Sequence, residues 1–304
     1  MRLRNSGAYI EAIMTKPKIG ILGLGSIGSR HRDNFMSLGC GVRGYDPING
    51  GDSLRKDILK WADAIVIASP IAEHYYDIIS CTAAGKPCLV EKPLVARRIE
   101  HNNIKMDLET VRLVGYNLRF HSCVKKVRQW LAKGTIGKPL WARFTCAQYN
   151  DREAYRRDGV VLNWSHEIDL ALHLLGKAEV TGASLSDGES LADILLKHEH
   201  NGCHTVVHLD YLTQPERRGF VIIGTSGSID ADLVNRQAFM KDNDGRLIHN
   251  HFGEDTFDSN YLTEAEAFLA LIENKIMPQH LIGCTAKQAH DVVDICLEVK
   301  EFHE

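Results

Sequence analysis

The stretch Gly23-Leu24-Gly25-Ser26-Ile27-Gly28 constrains this chain more than any other. It follows the apolar run Ile19 to Leu22 and opens a helix-like stretch from Ile27 to Leu38, the strand-turn-helix setting that a GxGxxG motif requires. Each glycine has its own reason: Gly23 permits a tight turn, Gly25 lets backbone approach a pyrophosphate without a Cβ, and Gly28 allows close helix packing. The helix N-terminus supplies N–H donors and positive dipole, so Ser26 and Ile27 join the glycines as expected cofactor-binding positions. Asp46 stands 23 residues after Gly23, at the end of the strand-like run Val42 to Tyr45. A carboxylate there accepts hydrogen bonds from both ribose hydroxyls and repels a 2′-phosphate, which favours NAD, while Arg43 nearby leaves NADP open.

The same alternation continues. Ala64 to Ala68 and Pro87 to Glu91 are short, continuous apolar runs of the kind buried parallel strands show, separated by a helical stretch from Ala72 to Ala84 that ends at Gly85. A fifth strand is expected at Val111 to Tyr116, giving a right-handed, doubly wound parallel sheet. Ligands of such sheets sit beyond the carboxyl ends of the strands, so Lys92 stands where it would project its ammonium into the crevice, an ordinary surface lysine at a strand end being the alternative, and Pro93 fixes the turn, with a cis peptide as one option. After Tyr116 the punctuation changes. Helices are expected at Ser122 to Lys133 and His166 to Leu175, followed by strand-like runs in succession, of which Asp193 to His200 and Cys203 to Leu212 flank Asn201-Gly202, a strong hairpin signal. Residues 1–15 read as a poorly ordered leader, 16–118 as a dinucleotide-binding domain, and 119–304 as a second, α+β domain. The C-terminal helix, Thr285 to His303, packs back toward the first domain.

Composition removes other classes. With 36 basic and 39 acidic side chains the net charge is −3, which excludes a basic nucleic-acid binder, and 44% apolar with 25% charged residues excludes disorder and collagen. No apolar stretch nears the roughly 18 residues of a membrane helix. Glu11 falls where a signal peptide needs an apolar core, so a cytoplasmic protein is expected. The eight cysteines are never closer than seven residues, so no CxxC exists and buried thiols in a reducing compartment are expected. His166, Asp169 and His173 form one polar stripe on an apolar helix by i+3 and i+4 spacing. No further ligand is placed to complete a zinc site there, and no metal is expected. A two-residue turn at Asn201-Gly202 puts His198 and His200 on one sheet face and His204 and His208 on the other, so these too are read as packed side chains.

Taken together, GLGSIG at 23–28, Ser69-Pro70 with His74, the run Ala84 to Pro93, Gly115-Tyr-Asn-Leu-Arg-Phe120, and Ser165-His-Glu-Ile-Asp169 with His173 resemble the Gfo/Idh/MocA oxidoreductase family. The resemblance implies a Rossmann doubly wound parallel sheet followed by a domain with an open, mainly antiparallel sheet that serves as the subunit interface of a homodimer or homotetramer. It implies an NAD(P)-dependent enzyme transferring a hydride between nicotinamide and a hydroxyl-bearing carbon of a sugar, polyol or nucleotide sugar. Relatives with NAD-dependent glycosidase chemistry or a non-catalytic sensor role are the alternatives. The resemblance assigns Lys92, Asp169 and His173 to catalysis, with His173 as proton acceptor, and Ser69, Pro70, His74, Glu91 and again Lys92 to the cofactor. Asn117, Arg119, Tyr149, Arg156, His166 and Asp169 are assigned to the substrate, with Arg157 a further candidate. Asp158-Gly159-Val160-Val161 carries one glycine where many members carry three, a departure in the loop before the catalytic helix.

Overall fold

The computed structural model describes residues 16–52, 54–104, 109–151, 153–276, 278 and 282–302, with backbone alone for 153–157. The leader expected at 1–15 and the side chains of Arg156 and Arg157 lie outside the described residues.

The first half alternates strands and helices as β1 (Lys18–Leu22), α1 (Ser26–Ser37), β2 (Gly41–Tyr45), α2 (Arg55–Trp61), β3 (Ala64–Ile67), α3 (Ile71–Ala83), β4 (Cys88–Val90), α4 (Arg98–Asn103) and β5 (Val111–Val114). All five strands are parallel, in the order β2-β1-β3-β4-β5, so the order reverses beside β1. Crevices at such reversals are where open sheets bind ligands. Side chains alternate across each strand, and both faces are covered. Ile19, Ile21, Ala64 and Val66 pack in one cluster, Leu22, Ile65 and Ile67 in another.

A 3-10 turn, Asn117–Phe120, leads into α5 (Ser122–Ala132), β6 (Pro139–Ala147), α6 (Glu153–Asn163) and α7 (His166–Leu175). Seven more strands follow: β7 (Ala178–Leu185), β8 (Leu191–His198), β9 (His204–Asp210), β10 (Arg217–Gly224), β11 (Gly227–Asp232), β12 (Gln237–Lys241) and β13 (Leu247–Phe252). With β6 they form one sheet ordered β13-β12-β11-β10-β6-β9-β8-β7, antiparallel throughout except for the β6–β9 pair. The hairpin departs from expectation by two residues. Lys197 pairs with His204, and His198 N–H donates to the Cys203 carbonyl, so the loop is the four residues 199–202. Asn201 sets that length, accepting from Cys203 N and donating to the Leu175 carbonyl. A shift of two preserves side-chain parity, so the inward His198 remains opposed to the outward His204 and His208.

The chain closes with α8 (Phe257–Ile272) and α9 (Ala286–Glu301), each opened by a capping box, Thr256 with Ser259 and Thr285 with Gln288. Both helices return to the first half. Ala265, Phe268 and Leu269 of α8 share a core cluster with Ile19, Ile21 and Phe35, and Cys284 bridges β5 at Val114. All eight cysteines are free and buried. Among the described residues no helix is long and apolar enough to cross a membrane.

Candidate active site

Beyond β1 the backbone turns at Gly23 with φ of +91°, and a Cβ there would stand 2.4 Å from the Ala68 carbonyl oxygen. A Cβ on Gly28 would stand 1.9 Å from the Gly23 oxygen, so both glycines are demanded by the fold's own packing. Gly25 differs: a Cβ there would meet nothing within 4 Å. It caps α1 without any side-chain hydrogen bond, and the first helical turn carries no acid, which leaves its N-terminal donors facing open space. Asp46 accepts from Leu24 N at 2.7 Å, from Ile48 N and Asn49 N at 2.8 Å, and from the Asn49 amide at 3.1 Å. Those donors, Asn49 and Leu24 foremost, hold its carboxyl well below the usual carboxylate range. Asp46 therefore ties the glycine turn to the loop after β2.

A cavity of about 680 Å³ opens beside this turn. Its first-half wall is made by Ile27, Ser69, Pro70, His74, Glu91 and Lys92, at the carboxyl ends of β3 and β4 and the start of α1. The Lys92–Pro93 peptide is cis. His74 bridges the two strand ends, with Nδ1 3.0 Å from the Pro93 oxygen and Nε2 3.0 Å from the Ser69 oxygen. Lys92 Nζ donates to the carbonyl of Asn163, at the end of α6. Burial pushes the Lys92 pKa down, opposed by the charge of Glu91. Behind Lys92, Glu91 Oε1 lies 2.7 Å from His31 Nε2, and Gly115 makes room for the carboxyl, since a Cβ there would fall 2.8 Å from Oε2. Glu264 of α8 is fully buried against this pair, and neither of its oxygens has a hydrogen-bond partner. Burial and the Glu91 charge raise its pKa well above the usual range, which favours the protonated acid.

The polar stripe on α7 runs away from the cavity, and only its first member reaches it. His166 lines the wall, packed edge-on against Tyr116 with ring centroids 5.6 Å apart. Burial, then Lys92 and Arg218, push its pKa well below the ordinary value, which holds the imidazole neutral, and its Nδ1 is buried without a partner. Asp169 and His173, expected at the reacting centre, lie further along α7. At about 1.5 Å of rise per residue, His173 sits roughly 10 Å further along the helix, and neither residue lines the cavity. Asp169, 1% exposed, pairs with Arg119, which donates Nη2 to Oδ1 at 2.6 Å and Nε to Oδ2 at 2.9 Å. His173 packs near Arg119 and Arg128, and burial with those cations pushes its pKa down to about 2.

Arg119 is likewise an internal clamp rather than a cavity residue, because Asp169 and Gln288 Oε1 occupy its guanidinium. Tyr149 is 50% exposed and points away, while Gln148 and Asn150 on either side line the cavity, as strand-like alternation dictates. Asn117 does line it, and both polar atoms of its buried amide lack partners. Gly25, Ser26 and Asp46 lie outside the enclosed cavity.

Residues 124–230 match the GFO/IDH/MocA C-terminal domain model. Myo-inositol 2-dehydrogenase of Thermotoga maritima is 24% identical over 300 residues, covering 84% of this chain and 88% of that protein. Levoglucosan dehydrogenase, solved with NADH and levoglucosan, superposes with a TM-score of 0.82 at 18% identity, over 94% of this chain and 96% of that one. UDP-N-acetylglucosamine 3-dehydrogenase from Acidithiobacillus ferrooxidans superposes with a TM-score of 0.78 at 19% identity, over 95% and 98%. This chain's matches to several other curated relatives, among them two inositol 2-dehydrogenases and a D-apiose dehydrogenase, span about half the length of those proteins.

This chain also builds its cavity from residues that sequence motifs do not mark. Arg218 lines the wall and is held by Glu167 of α7, with Nε 2.7 Å from Oε1 and Nη2 3.1 Å from Oε2. The pair Arg217-Arg218 is therefore split: parity with the buried Phe220 and Ile222 turns Arg218 inward and leaves Arg217 exposed, and that alternation is legible in the sequence. Arg236, at φ +56° in the turn between β11 and β12, and Asn260 and Tyr261 of α8 complete the wall from segments with no local signature.

Proposed function

We propose that this chain is an NAD-dependent dehydrogenase acting on a CH–OH carbon of a sugar, polyol or nucleotide sugar. The observation that carries the reading is that Lys92 and His166, 74 residues apart, meet in one cavity directly beyond the glycine turn. The residues present fit a dinucleotide: Gly25 leaves space where a Cβ would stand, and the uncapped start of α1 offers its N–H groups. Asp46, carrying full negative charge, favours NAD over NADP. When bound, the nicotinamide supplies a two-electron acceptor for the carbinol carbon. The chain's own groups do the rest. The Lys92 ammonium stabilises negative charge developing on the substrate oxygen, an interaction stronger in the transition state than in the ground state. His166, held neutral by burial and two neighbouring cations, accepts the hydroxyl proton. The unpartnered Asn117 amide orients a substrate hydroxyl.

The test is NADH formation with NAD and NADP separately, across inositols, anhydrosugars, aldoses and nucleotide sugars, the classes named by the relatives. Lys92→Met is expected to abolish turnover while NAD still binds. Loss of NAD binding in that variant, with activity restored by excess NAD, contradicts the role given to Lys92. Net hydrolysis of a glycoside without net NADH moves the chain to glycosidase chemistry, and binding without turnover moves it to a sensor. We further propose a cytoplasmic homo-oligomer. The eight unpaired thiols suit a reducing compartment, and the outer sheet face exposes Leu195 and Ile223 at 46% and 42%. Light scattering on the wild type and on Ile223→Glu reads the assembly: a wild-type monomer removes this part of the proposal.

A further inference from the structure

A second group of ligating side chains lies outside the cavity, where α4 of the nucleotide half meets α9. His290 and Asp294 stand four residues apart on α9 and so share a face, and His101 of α4 packs onto them. The imidazoles of His101 and His290 are stacked, with centroids 3.7 Å apart and planes inclined by 26°. His101 Nε2 lies 3.1 Å from Asp294 Oδ1, and His290 Nε2 lies 3.3 Å from the His101 carbonyl oxygen. One ring nitrogen of each histidine and one Asp294 oxygen fall within 4.8 Å of one another. His101 is 1% exposed and its Nδ1 has no partner, whereas Asp294 is exposed and opens the group to solvent.

We propose that His101, His290 and Asp294 form a binding site for a borderline divalent cation of the zinc type, which fastens the nucleotide half to the C-terminal helix. Metal–ligand bonds of about 2.0–2.2 Å put neighbouring ligand atoms roughly 3.3–3.6 Å apart around a tetrahedral ion. The 3.1 Å separation of His101 Nε2 from Asp294 Oδ1 is just short of that spacing, and His290 joins the set by turning its ring out of the stack on His101. Two imidazoles and one carboxylate select Zn²⁺, Ni²⁺, Co²⁺ or Cu²⁺ over Mg²⁺ and Ca²⁺, which prefer all-oxygen sets. Three protein ligands leave a position for water, so the bound ion is exchangeable. Arg98 also donates to Asp294 Oδ1, at 3.0 Å, and its second bond, to Glu301 at 2.8 Å, keeps it in place when the carboxylate turns to the ion.

The experiment uses the full chain without an affinity tag, stripped with EDTA and titrated with Zn²⁺ by calorimetry and thermal melting, with Mg²⁺ in parallel. One Zn²⁺ per chain is expected, with a melting rise of roughly 5 °C at about a hundredfold excess over the dissociation constant. His290→Asn and Asp294→Asn lie on the solvent side, and each is expected to weaken binding at least about tenfold, a loss of about 1.4 kcal/mol, with the melting point in EDTA unchanged. Unaltered Zn²⁺ binding in both variants, no saturable binding to the wild type, or equal binding of Mg²⁺ overturns the proposal. Should either variant melt early, Co²⁺ loading of the wild type decides, because a weak octahedral spectrum in place of the intense four-coordinate one also overturns it.

Discussion

Removing the Arg119 guanidinium leaves Asp169 as an unpaired charge in a site with 1% exposure. Arg119 gives Asp169 three contacts, at 2.6, 2.9 and 3.2 Å, and reaches Gln288, whose Oε1 also caps α9 by accepting from Thr285 N. Breaking a buried pair on one side costs about 3–5 kcal/mol, a large part of the roughly 5–15 kcal/mol that holds a domain folded. Arg119→Met and Asp169→Leu should each lower the melting point by about 10 °C, on the scale of roughly 2–4 °C per kcal/mol for chains of this kind. The double variant carries no orphan charge and should cost no more than the worse single change, a coupling of about 2 kcal/mol or more. Urea titrations of the ligand-free chain, followed by fluorescence of its four tryptophans, measure the cycle. Additive losses below about 1 kcal/mol for each single variant, with a raised KM, would refute the clamp and return both residues to the substrate site.

His166→Gln should slow turnover by roughly 10² to 10⁴, whereas His173→Gln should leave kcat and its pH profile unchanged; steady-state kinetics with any active substrate separates the two. Because burial holds His166 neutral, the acid limb of the wild-type profile should fall below the ordinary imidazole midpoint of about 6.5, and a midpoint above that value contradicts the assignment. Gly25→Val should leave melting unchanged and weaken NAD binding at least about tenfold, while Gly28→Ala, whose Cβ would meet the Gly23 oxygen at 1.9 Å, should destabilise the fold, as calorimetry and fluorescence titration will read. Glu264 has a raised folded pKa, so its stability contribution is complete below the unfolded value near 4.5 and is lost as pH rises toward the folded one. Glu264→Gln should remove that decline, up to about 1.4 kcal/mol per pH unit, and parallel melting curves for wild type and variant across pH would disprove it.

Much of the first half is legible because its determinants are local. A buried parallel strand needs only a short apolar run, a tight turn needs its glycine, and a residue just past a strand's carboxyl end stands at the crevice, so position makes Lys92 a candidate and the surrounding motif singles it out. Parity works equally well on antiparallel strands: it places Arg218 inward beside Phe220 and Ile222 and holds even where the hairpin loop is two residues longer than expected. Periodicity is blind to direction, however. His166, Asp169 and His173 share one stripe whichever end of α7 meets the cavity, and only the packed position of the helix makes the first the cavity residue and binds the second to Arg119. Pairs far apart in the chain are similarly hidden. His31 meets Glu91 across 60 residues, and Glu264 closes on both from a helix that covers a sheet built more than 140 residues earlier. Spacing along a chain reports which side chains share a face, while the partner of that face is chosen by the burial of the whole core.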